Sequence, residues 1–290
     1  MKLLGKRGIK MTKIKVVTDS SVQMSDEEVK DLGVTIIPLD VMIDNTVYVD
    51  GVTITREKFI EEMQTSKTLP TTSQPPVGKM VETFNELTKD GSEVLGIFLA
   101  ESLSGTVNTA RQAAEMCDGK VTVFDSQFTD RAEGFQVIEA AKMAERGMSM
   151  DAIVDGITQV RANTTLRMAV VDLTNIIKGG RLSKAAGMIG TMLNIKITLG
   201  MSNGKLEILK KGRGMKTIRN FKDQVIQNIA QTPNIKGVGV SYVAIPEEAN
   251  AMGEQIKAAV PDADVLVRST GPIVATHAGV GAFAIIYYRG

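Results

Sequence analysis

Five short stretches of this chain carry side chains able to hold or transfer an anionic group: TDSS at 18–21, TTSQPP at 71–76, ESLSGT at 101–106, KGGRLS at 178–183 and THAGVGA at 276–282. The first three supply hydroxyls. Such residues cap helices, and that reading stands for any single loop. Three of them at strand ends of one open sheet point instead to an anion or carboxylate site, where helix N-termini also aim their free N–H groups. KGGRLS adds Arg181, a planar fork suited to carboxylate or phosphate, unless the loop is simply surface. THAGVGA holds His277, the only histidine. A neutral imidazole both donates and accepts, so His277 suits a carboxylate or a phosphoryl oxygen. The alternative is one satisfied histidine at the mouth of a strand. Ser104 also stands between strand and helix, as a nucleophile would, but its S-L-S-G-T window lacks the G-x-S-x-G pattern. A serine hydrolase or acyltransferase using Ser104 and His277 is the competing reading. KKGRGMK (210–216) offers Arg213 to a phosphate or a partner, or merely to solvent.

Composition narrows the classes. The 290 residues carry 34 basic and 33 acidic side chains, so nothing in the bulk charge argues for nucleic acid. One cysteine and one histidine leave no disulfide framework and no soft-metal site, and no metal is expected. No apolar run approaches the length of a membrane span. Residues 1–11, MKLLGKRGIKM, are read as a disordered basic extension or the product of an early start codon, because the two adjacent leucines are too few for a secretion signal. A cytoplasmic location is expected.

The elements that must position these loops alternate between strand and helix. IKVVTD (14–19) reads as a buried strand, and Ser25 with Glu28 forms a capping box for a helix over 25–33. VTIIPLDVMI (34–43) reads as one strand, 55–64 as a helix capped by Thr55, and 69–76 as a proline-punctuated loop. Helix 77–89, strand 94–100, helix 107–116, strand 121–126 and helices 130–146 and 149–161 follow. This predicts a mostly parallel sheet covered on both faces, in a domain spanning 12–165. A second α/β domain with antiparallel strands spans 166–290. It opens on strand 168–173 and a glycine-rich loop running into a helix, and continues with a hairpin about Asn203 and Gly204. Helices 216–230 and 246–259 then alternate with strands 237–243, 264–270 and 283–288. The segment near 65–78 is expected to pack with the second domain.

TDSS, TSQP (72–75), SLSGT (102–106), DS (125–126), KGGR and THAGVGA, in this order over 14–288, resemble the landmarks of the DegV family of bacterial fatty-acid-binding proteins. The resemblance implies a two-domain DegV-like fold, one domain Rossmann-like, with a long-chain fatty acid in the cleft between them. It implies that Thr72, Ser104 and His277 hold the carboxylate, with Ser73, Gly105 and Arg181 in the head-group region. It further implies a carrier rather than an enzyme. Such a carrier presents the carboxylate to a separate fatty acid kinase subunit that uses ATP, with His277 assisting phosphoryl transfer and Arg213 facing the kinase. No tightly bound cofactor is expected, the acyl phosphate would feed phospholipid synthesis, and lipid exchange implies transient contact with a membrane surface. A lipid sensor without a kinase is the remaining alternative. The chain departs from the family pattern after Lys196, where proline is usual, and at Val280, where proline is common. The 16 methionines suit a lipid-shaped cavity.

Overall fold

The computed structural model describes residues 13–182 and 194–290. The expected extension at 1–11 and the helix expected after the KGGRLS loop lie outside the described residues. Apolar runs bounded by polar tips build the first sheet. Strands β1 (Ile14–Asp19), β2 (Thr35–Ile37), β6 (Glu93–Phe98) and β7 (Val121–Asp125) lie in the order β2–β1–β6–β7, all parallel. Helices α3 (Val77–Thr88) and α4 (Thr106–Met116) cover one face through Met80, Phe84, Val107 and Ala110. On the other face lie α5 (Asp130–Glu145) and α6 (Met150–Ala162), with α1 (Asp26–Asp31) at its margin. The Ser25–Glu28 capping box is formed, and Thr55 caps α2 (Arg56–Thr65) by accepting from the Lys58 N–H.

The second sheet has the order β10–β9–β8–β13–β11–β12 and is antiparallel except for its last pair. Its strands are β8 (Thr164–Val170), β9 (Ile195–Ser202), β10 (Lys205–Arg213), β11 (Ile235–Tyr242), β12 (Asp264–Ser269) and β13 (Phe283–Arg289). Helices α8 (Met215–Gln231) and α9 (Pro246–Ala259) seal one face with Phe221, Val225, Met252 and Ile256. The other face meets α5. Helix α5 is buried from Asp130 through Ile138. Its Val137, Ile138, Ala140 and Ala141 pack on the parallel sheet, while Ala132 and Phe135 pack on Leu166, Ala284 and Ile286. A helix flanked by sheets on both sides needs apolar residues all round.

The run VTIIPLDVMI is not one strand. Pro38 has no N–H to give a ladder, so β2 stays in the parallel sheet and β3 (Asp40–Ile43) joins β4 (Thr46–Val49) and β5 (Thr71–Ser73) in a small antiparallel sheet. Asp44 and Asn45, both at positive φ, make the turn between β3 and β4. The proline-punctuated loop thus contains a short strand, β5. Residues 272–278, read only as part of a glycine-flanked stretch, form helix α10 (Pro272–Ala278). Leu39, Val41, Ile43, Phe59 and Met63 share one core with Val243, Ile273, Ala275 and Ala278. Helix α7 (Thr174–Lys178) packs Ile176 against Val170, Ile197 and Leu199.

Candidate functional site

A cavity of about 310 Å³ lies among these sheets, with walls formed by Leu39, Leu99, Leu166, Ile176, Val243 and Phe283. The same cavity is lined by Thr72, Ser73, Ser104, Gly105, Arg181 and His277. An apolar pocket with a few convergent polar groups is the usual form of a small-molecule site. The residues expected at a head group are therefore brought together from four segments far apart in sequence: β5, the β6–α4 turn, the stretch after α7, and α10.

His277 sits in the last turn of α10. Its Nε2 lies 2.9 Å from the Thr72 hydroxyl, and Nδ1 is buried with no hydrogen-bond partner among the described residues. Thr72 is set by β5, where it pairs with Val41 of β3. The α10 end is anchored by Asn175 of α7, whose Nδ2 donates to the Thr276 carbonyl at 2.9 Å. Burial, and secondly the positive charge of Arg181, lowers the His277 pKa to about 4. At neutral pH this imidazole is uncharged.

Ser104 ends the turn after β6. Its hydroxyl is 2.9 Å from that of Thr106 and accepts from the Thr106 N–H at 3.3 Å, which ties it to the start of α4. Gly105 leaves room for the Gln74 amide, which a larger residue would have to turn aside. A Cβ there would stand 2.0 Å from Gln74 Oε1, and Gln74 also lines the cavity while donating to Thr109 Oγ1 at 2.6 Å. Arg181 donates through Nε to the Leu103 carbonyl at 3.2 Å and through its guanidinium to the Gly179 carbonyl at 2.6 Å. Partial burial lowers its pKa. A second depression between 101–105 and 179–181 opens this end to the surface, and beside it the Ser102 hydroxyl donates to the carbonyl of Gly204 at the hairpin tip.

Arg213 is exposed at the end of β10 and does not line the cavity. The hydrolase geometry is not assembled. Ser104 bonds to Thr106 and His277 to Thr72, and among the described residues no acid orients Nδ1. Among the described residues no cluster of three His, Cys, Asp or Glu side chains could hold a metal, and no helix is long and apolar enough to cross a membrane. Of the described methionines only Met168 and Met201 line the cavity, so most of those serve elsewhere. Gln74, Thr129, Asp130, Ser241 and Thr270 also line it and were not singled out from sequence. Gln74 could have been found, since it falls inside TSQP. The others carry no local signal, because β7–α5, β11 and β12 bring them together only in the fold.

Known proteins share this fold. The family model described as "Uncharacterised protein, DegV family" matches residues 13–290. A DegV domain-containing protein of Streptococcus pneumoniae serotype 4 is 45% identical over 276 residues, covering 95% of this chain and 98% of its own. The crystal structure of DegV from Bacillus subtilis, described as a fatty acid binding protein, superposes with a TM-score of 0.88 at 29% identity, covering 96% of this chain and 100% of that one. A stearic acid-binding protein from Eubacterium ventriosum gives 0.85 at 25% identity over 95% and 98% of the two chains. With the family model matched over nearly the whole length and a curated relative 45% identical over 95% of it, this chain belongs to the DegV family.

Proposed function

We propose that this protein binds a long-chain fatty acid in the cavity and presents its carboxylate at Thr72, Ser104 and His277. The observation that carries the reading is the Thr72–His277 pair, which sits with Ser104 and Arg181 at one end of a cavity whose walls are mostly apolar. A buried carboxylate without partners is costly. Here the Ser104 hydroxyl and the Thr72–His277 pair, which keeps one proton after making its own bond, can donate to it, and Arg181 supplies a nearby positive charge. Each buried methylene of the tail adds roughly 0.8 kcal/mol. The fatty-acid-binding descriptions of the Bacillus subtilis and Eubacterium ventriosum structures support the ligand class.

The finer reading is that the carrier works with a separate kinase subunit. The γ-phosphoryl of ATP would pass to a carboxylate oxygen beside His277, giving the acyl phosphate and ADP. Arg213, exposed and outside the cavity, is then a residue for the partner rather than the ligand. Native mass spectrometry of the purified protein, followed by denaturing extraction, tests the ligand. Release of one fatty acid per chain is expected. A protein that is empty and takes up no added fatty acid overturns the proposal. For the kinase step, Arg213→Glu should leave lipid loading intact and lower phosphorylation by an added kinase subunit. Equal losses in both assays would remove the partner role.

A further inference from the structure

The cavity is polar at a second place. Thr129, Asp130, Ser241 and Thr270 line it, and Asp130, Ser241 and Thr270 are 2%, 4% and 3% exposed. Asp130 begins α5 in a left-handed conformation, φ 59°. Its Oδ1 accepts from the Ser241 hydroxyl and, at 2.7 Å, from the Arg131 N–H, while Oδ2 accepts from the Thr270 hydroxyl. The Thr129 hydroxyl donates to Ser21 Oγ at 3.0 Å. The hydroxyl protons of Ser241, Thr270 and Thr129 are therefore already engaged, and the capacity that remains is lone pairs on Asp130 Oδ2, Thr270 Oγ1 and Thr129 Oγ1.

Such a patch can accept and cannot donate. It repels a carboxylate, which orients the acid head toward Arg181 and His277. It is a poor neighbour for plain methylenes, because its oxygens then lose water and gain nothing. The group it suits is an uncharged donor. Thr270 lies just before α10 and His277 in the last turn of that helix, so at 1.5 Å per residue roughly 10 Å separates the two levels along the helix. That places the patch well down an acyl chain from its carboxylate.

We propose that Asp130, Thr270 and Thr129 form a subsite for a hydroxyl carried part-way along the chain, making a hydroxy fatty acid the preferred ligand. The inference rests on the fatty-acid reading above. The test is titration calorimetry of delipidated protein with stearic acid and with monohydroxystearic acids bearing the hydroxyl beside the carboxylate, at mid-chain or at the methyl end. The mid-chain acid should bind about tenfold tighter than stearic acid, as expected when a hydrogen bond to a charged acceptor replaces none. Thr270→Val and Asp130→Asn should each bring that ratio toward one. Where Asp130→Asn fails to fold, Thr270→Val and Thr129→Val give the same reading. Stearic acid binding as tightly as every hydroxy acid overturns the subsite and leaves the fatty-acid reading intact. Failure of all the acids to bind overturns both.

Discussion

His277 can be watched on its own, because no other imidazole is present. Its depressed pKa of about 4 means the folded chain binds fewer protons here than the unfolded chain between about pH 4 and 6.5. Stability therefore rises with pH across that window, by on the order of 3 kcal/mol. Denaturant titrations should show that rise flattened in His277→Gln. Imidazole NMR should place the titration of ligand-free protein near 4, and a bound carboxylate should move it upward. Thr72→Val and Ser104→Ala each remove one donor to a buried anion. Each should weaken fatty acid binding by about tenfold to a hundredfold in calorimetry. Full affinity in both would place the carboxylate elsewhere. That these residues meet on one cavity was legible only through the order of motifs resembling the DegV landmarks, because each hydroxyl-rich loop alone reads equally well as a helix cap. Asp130 was not, because its partners Ser241 and Thr270 arrive from other strands.

The elements that place them were legible unevenly. Long apolar runs such as 94–100 and the Asn203–Gly204 hairpin reach the structure nearly unchanged. Helix α10 did not announce itself, since PIVATHA is rich in β-branched residues with weak helix propensity. Proline at its start and the burial of Ile273, Ala275 and Ala278 hold it. Strand β5 is three residues long and exists through its pairing with β3. The fit of α7 against α10 is tight. A Cβ on Gly179 would stand 2.5 Å from His277 Nδ1 and 2.8 Å from the Asn175 carbonyl. Gly179→Ala should displace the imidazole from Thr72. A crystal structure would show the shift, and fatty acid affinity should fall by about tenfold while the melting temperature changes by only a few degrees.

At the scale of the molecule, the shared core of 39–63 with 243–278 leads us to infer that the β3–β5 segment belongs with the second sheet. The first lobe is then discontinuous in sequence, which no composition shift along the chain reveals. Acidic groups are buried where the lobes meet. Asp50, 7% exposed with Oδ2 unpartnered, has its pKa raised to about 6 by burial, with Asp19 adding to the rise. Burial, and then the charge of Asp19, raises Glu133 well above its usual range, while Thr18 and Ser21 donate to it at 3.0 and 3.2 Å. A raised carboxyl pKa gives stability that is complete below the unfolded value and lost as pH rises through the folded one. Asp50→Asn should therefore stabilise the protein at pH 8, by on the order of 2 kcal/mol, and little at pH 4. Urea midpoints at the two pH values check this. An equal gain at both would assign the effect to packing.

Helix α5 presses one flank on each sheet, so neither half of the chain holds a finished surface. A polypeptide nicked between Asn163 and Thr164 would leave Ala132 and Phe135 bare on one fragment and Leu166, Ala284 and Ile286 bare on the other. Produced separately, the fragments should aggregate. Produced together, they should reconstitute by complementation, and recovery of lipid uptake would report their union.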